Sequence, residues 1–242
     1  MPATEERSAQ GGRAGLLMMV VFAAAVITFL GTSMLALVLA ETPGNVSPAA
    51  MLANLTGPGV LAALVAITGT ALLGAGPGTA RIRRELALRW SWRAAGHGLL
   101  IGAVGLAVSL PAAMLWTRWV GPDQAESALG ETFRGKQFGL PVAGAVFLII
   151  WLLAPICEEL LFRGVLWRAF EHWRWNAWGI LAITTVLFAL AHAEPLRTPL
   201  LLIISIPVGV ARMLTGNLTA AIVTHQLNNF LPALLVFLLV SE

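Results

Sequence analysis

The sequence predicts an all-α fold, a polytopic transmembrane helical bundle of about seven transmembrane helices. Three observations carry that expectation. Of the 242 residues, 58% are hydrophobic and 11% are charged, and the mean hydropathy of +0.82 lies far above that of an ordinary soluble domain. Apolar runs of about 20 residues, the length needed to cross a hydrocarbon core, recur along the whole chain. The arginines fall in short stretches between these runs. The net charge of +3 and the pI of about 10.4 therefore read as membrane topology, and no nucleic-acid partner is expected.

In chain order the spans are 16–40, 57–76, 97–116, 139–171, 177–192, 198–214 and 218–240. The first follows Arg7 and Arg13 and ends at "VLAET", the outline of a signal peptide. Its apolar region of about 25 residues is too long for one and suits an anchor. Residues 1–15 are expected to be a cytoplasmic tail, 16–138 a group of transmembrane helices without a motif, and 139–240 the part that carries chemistry. Sorting the 15 Lys and Arg by alternate sides puts 11 on one side (Arg7, Arg13, Arg81, Arg83, Arg84, Arg89, Arg93, Arg163, Arg168, Arg174 and Arg212). Arg118, Arg134, Lys136 and Arg197 fall on the other. The positive-inside rule then sets the N-terminus in the cytoplasm and the C-terminus outside. Abundant Ala, Arg and Trp, no Tyr and a single Lys suggest a GC-rich bacterium, so the expected location is a bacterial inner membrane. The single Cys157 leaves no disulfide framework or thiolate metal site and reads as a packing residue.

After the run "GLPVAGAVFLIIWLL" the chain places Glu158 and Glu159 within "APICEELLFRGVLWRAF". A charge at the bilayer centre costs a few kcal/mol or more, so such residues face a bundle interior or a water-filled cavity and are functional candidates. Glu159 and Arg163 are four apart on one helical face, acid first, the favoured order for an ion pair. Glu158 is rotated from Glu159 by about 100°. It is expected to point into the bundle, where a buried carboxylate becomes a usable proton acceptor. A buried polar staple between helices is an equally open reading of these three residues.

The next polar intrusion is "FALAHAEP". The chain is expected to reverse near Arg174 to Asn176. Glu158 is 17 residues before Trp175 and His192 is 17 after it, so each would stand on the order of 25 Å from the turn, at similar height in a helical hairpin. That match favours a site over a lone structural histidine. The third intrusion is "LTAAIVTHQLNNFLPALL". It puts His225 and Asn229 on one helical face and Asn228 on another. His and Asn can both donate to a developing oxyanion, and neutral His is a zinc ligand. Interhelical hydrogen bonds worth about 0.6 kcal/mol each are the structural alternative.

"EELLFR", "FALAH" and "HQLNN" are similar, in the right order, to the E-E-x-x-x-R, F-x-x-x-H and H-x-x-x-N signatures of the CAAX prenyl protease 2 and bacteriocin-processing family of intramembrane proteases, often called CPBP or Abi proteins. The resemblance covers about residues 139–240. It implies an intramembrane endopeptidase that hydrolyses a peptide bond by Glu-activated water. Glu158 would be the general base and His192 its partner, His225 and Asn229 the oxyanion group, and Glu159 and Arg163 supporting residues. Family members in eukaryotes trim three residues from prenylated C-terminal tetrapeptides, so the implied partners are membrane lipid and a lipidated or membrane-associated peptide.

The family is commonly classed as metalloendopeptidase, and Glu158, His192 and His225 are the ligand types of a His₂Glu zinc site. Such a zinc enzyme normally needs a further carboxylate to take the proton. Glu159 is expected to be held by Arg163, so the favoured reading requires no cofactor and zinc is the alternative. Two other classes stand beside the peptidase. A proton-coupled transporter would show repeated halves and broken helices in matching positions, a pattern the sequence does not show. A non-catalytic membrane scaffold or bacteriocin-immunity protein would keep the same residues as a polar staple.

Overall fold

The computed structural model describes residues 2–40, 47–76 and 80–241, and every regular element among them is helical. Glu41 and Thr42, which complete "VLAET", and the side chain of Arg7 lie outside the described residues. Six of the helical runs are long and apolar enough to cross a membrane. The seventh expected span is a helix of only 15 residues, Ala177–Ala191, shorter than the usual crossing length of about 20. The chain divides into two compact units, Met1–Arg89 with Ile156–Ile180, and Trp90–Pro155 with Leu181–Glu242. Each is described by itself.

The first unit opens with α1 (Pro2–Ala40). Helix begins at Pro2, ahead of the apolar span that starts at Gln10, so the expected tail is helical and continuous with the first span. Helix α2 (Pro48–Leu73) starts earlier than expected because Ser47 accepts the Ala50 N–H at 3.2 Å and proline suits the first helical position. Pro58 lies inside the helix, as membrane helices tolerate. The two helices pack closely. A Cβ on Gly69 would come within 2.8 Å of Val21, so a small residue is needed there. A short α3 (Ala80–Glu85) follows.

The helical run from Leu140 to His172 passes from the second unit into the first at Ile156. It comprises α7 (Leu140–Leu148), a π-helical stretch (Ile149–Leu153), α8 (Ala154–Glu159), a second π-helical stretch (Leu160–Leu166) and α9 (Trp167–His172). In the π stretches the hydrogen bonds lengthen by one residue. The Ala154 N–H reaches Ile149 O, and the Trp167 N–H reaches Phe162 O. After α9 the helix breaks over Trp173–Asn176, where a turn was expected, with Arg174 at φ +60°. Asn176 then caps α10 (Ala177–Ala191) by accepting the Gly179 N–H at 2.8 Å.

The second unit is built on α4 (Trp92–Val120), α11 (Thr198–Thr215) and α12 (Leu218–Val240). Short helices α5 (Pro122–Ala125) and α6 (Ala128–Phe133) lie between α4 and α7. Gly98, Gly102 and Gly105 line one buried stripe of α4. A Cβ on Gly98 would sit 2.6 Å from Ala220 O, and one on Gly105 would sit 2.7 Å from Pro207. The stripe is a small-xxx-small seam of the kind that lets membrane helices approach closely. The Thr224 hydroxyl donates across it to Gly98 O at 2.9 Å.

Candidate active site

In the first unit, Glu159 and Arg163 meet as expected. Arg163 Nη1 lies 3.0 Å from Glu159 Oε1, and both side chains are fully buried. The intervening backbone enters a π turn, yet four residues is close to one turn in either helix type, so the pair still shares a face. Glu158 is half-buried, more open than a fully enclosed carboxylate. It is also not electrostatically isolated, for Arg163 and Cys157 both lie within range of its charge. Cys157 is buried next to Gly59 and packs as expected.

In the second unit, His192 lies one residue beyond α10 rather than within an apolar helix, and it is exposed. Ala193 at φ +53° and Pro195 end the helix there. His192 Nδ1 donates to Phe188 O at 2.9 Å, which leaves Nε2 as the acceptor in the neutral ring. The Phe188 ring packs against His192 at 4.8 Å and against His225 at 5.6 Å. One aromatic side chain thus positions both imidazoles. The sequence pattern contained Phe188, and its role as a shared platform emerges only from the fold.

Asn229 Nδ2 donates to Ile150 O at 3.3 Å. The register of the first π stretch assigns that carbonyl to the N–H of residue 155, and Pro155 has none. Asn229 therefore fills the vacancy that the proline creates. Gln226 donates to Leu152 O at 3.4 Å, two residues along the same run. Asn228 Nδ2 donates to Ile204 O at 3.2 Å, next to the carbonyl that Pro207 leaves without its donor. Pro155 and Gln226 were not singled out from the sequence. The signal was a proline inside an apolar run, which obliges some other donor to appear.

Among the described residues of either unit, no three His, Cys, Asp or Glu side chains converge as a metal ion would need.

A second polar cluster in the first unit was not expected. Glu85 is buried and receives Arg168 Nε at 3.2 Å and Nη2 at 3.4 Å, with His172 Nε2 at 2.8 Å. Glu171 joins through Arg168 at 3.0 Å and the Trp167 indole at 2.8 Å. Burial alone would raise the Glu85 carboxyl. The hydrogen bonds and charges of His172 and Arg168 outweigh it and hold the group below its ordinary value.

Residues 141–231 match the family described as Rce1-like, type II CAAX prenyl endopeptidase Rce1-like. This stretch is similar to that family over 91 of the 242 residues. The matched stretch contains all six motif residues, together with Pro155, Phe188, Gln226 and the Arg168–His172 end of the Glu85 cluster. The chain is also 31% identical over 106 residues to an uncharacterized 24.3 kDa protein of Escherichia coli. That match covers 42% of this chain and 48% of the relative, so the chain spans about half the length of the curated protein it matches. No solved structure matches the chain. With six helices of spanning length and similarity over residues 141–231 to an intramembrane protease family, the chain reads as a multi-pass membrane protein.

Proposed function

We infer that the chain is an intramembrane endopeptidase that hydrolyses a peptide bond of a lipidated or membrane-associated substrate with water activated by Glu158. The observation that carries this reading is the Rce1-like match over residues 141–231. The chemistry within each unit supports it. Glu159 is committed to Arg163, whereas Glu158 retains accessible surface and is the carboxylate that can meet a water. His192 offers Nε2 as an acceptor and assists the base. His225 and Asn229 act as oxyanion donors. Asn229 has two N–H hydrogens and gives one to Ile150 O, so its second is the one available to substrate. The reaction needs no metal on this reading. The protein would act in a bacterial inner membrane with its N-terminus in the cytoplasm.

The test incubates purified protein with prenylated peptides and with membrane-anchored polypeptides, reading cleavage by mass spectrometry. The wild type should cut at a defined bond. Glu158→Gln should remove cleavage with little change in thermal stability, because the amide keeps the shape but cannot accept a proton. Turnover retained in that variant would remove Glu158 from the mechanism.

A second reading is favoured by the carbonyl contacts of Gln226, Asn228 and Asn229. In it the polar residues only staple helices and the protein is a non-catalytic scaffold. Absence of cleavage across the whole substrate panel, with no difference between wild type and Glu158→Gln, would support that reading instead.

A further inference from the structure

A cavity of about 420 Å³ in the second unit is built from none of the motif residues. It lies where α4 begins and where α11 turns into α12. Its lining includes Ser91, Arg93, His97, Ile101, Leu214 and Asn217, and no carboxylate. Arg93 and His97 are four apart on one face of α4 and both are exposed. Neither has a hydrogen-bond or ion-pair partner among the described residues. Ser91 caps α4 by accepting the Ala94 N–H at 3.0 Å, and Asn217 caps α12 by accepting the Thr219 N–H at 3.0 Å. Two helix N-termini, each with partial positive charge, thus open beside two basic side chains.

The surroundings select the kind of anion. Trp90 and Trp92, 63% and 81% exposed, flank Ser91 and mark the membrane–water interface, where such rings settle. Ile101 stands one turn beyond His97, and Leu214 is 68% exposed, so the wall that leads away from the cations is apolar. A free phosphate ion would use only the basic end. A phospholipid would use both.

We propose that this cavity seats the phosphate of an anionic phospholipid headgroup, held by Arg93 and His97, with an acyl chain along Ile101 and Leu214. The test is native mass spectrometry of the detergent-purified full chain titrated with phosphatidylglycerol, phosphatidylcholine or inorganic phosphate. Wild type should retain one phosphatidylglycerol in preference to phosphatidylcholine. Arg93→Gln should weaken that retention about fivefold, the usual worth of one basic residue against an anionic lipid. His97→Leu should weaken it less, and Arg118→Gln, at the far end of α4, should leave it unchanged.

Equal retention of the two lipids would overturn the proposal, as would an equal loss in Arg118→Gln, which would mean diffuse charge attraction. Displacement of the lipid by an equal concentration of inorganic phosphate would assign the site to a free anion and overturn it too. If Arg93→Gln folds poorly, the lipid preference of the wild type and the His97→Leu variant still decide the matter.

Discussion

Glu158 and Glu159 are adjacent in the chain and differ in what they can do. Glu159 has no exposed surface and faces Arg163; Glu158 keeps part of its surface. Truncating one partner of a buried ion pair strands the other charge, typically at roughly 3–5 kcal/mol, whereas replacing both can be neutral. Arg163→Ala should therefore lower the thermal unfolding temperature markedly, and Glu159→Gln/Arg163→Met should recover most of the loss. A double variant no more stable than the single one would mean that the pair contributes nothing. The same commitment of Glu159 bears on metal. A zinc mechanism would need a second carboxylate beside its ligands, so activity should survive exhaustive chelation. Activity lost on chelation and regained with zinc would make Glu158 a ligand instead of a base.

Among the helices, prolines and glycines decide where the polar side chains go. Pro155 removes an N–H from a buried run, and Asn229 supplies the missing donor to Ile150 O. Asn229→Ala should cost about 1 kcal/mol, between the average of about 0.6 and the maximum of about 1.7 for interhelical bonds in membranes. In a Pro155→Ala background the restored N–H should shrink that cost, a coupling that a double-mutant cycle in thermal unfolding would read. Equal costs in both backgrounds would separate the two residues. On α4 the Gly98–Gly102–Gly105 stripe leaves no room for side chains. Gly102→Leu should separate α4 from α12 and lower the unfolding temperature, whereas Gly96→Leu, with nothing within 4 Å of its Cβ, should not.

Across the whole chain, what was legible in the sequence is what a local pattern dictates. Apolar length revealed the spans, and four-residue spacing revealed the Glu159–Arg163 pair. The helix break at Trp173–Asn176 was legible as an amphipathic, aromatic interruption. What was hidden depends on partners far apart in sequence. Glu85 drew no notice in the sequence, and only the fold brings it to Arg168 and His172, more than eighty positions away. Gln226 was likewise unreadable until the carbonyl it serves was visible.

The Glu85 cluster carries its own prediction. Its folded-state carboxyl is held below the ordinary value of 4.5, so its stabilising contribution is full above that pH. The contribution is lost as pH falls through the lower folded value. Thermal unfolding followed from neutral to acid pH should show a decline that Glu85→Gln flattens. Parallel curves would mean that Glu85 titrates alike in both states.

The π stretch Leu160–Leu166 lies between the Glu158–Glu159 pair and the Arg168–His172 grip on Glu85. It works as a gear with one extra tooth. Each residue turns an α-helix by about 100° and a wider π turn by less, so deleting one residue there and letting the run tighten into α geometry would leave the two ends near their present bearing. A second deletion has no such slack and would swing one end against the other by about 100°. Either the carboxylates or the grip could then keep its bearing, but not both.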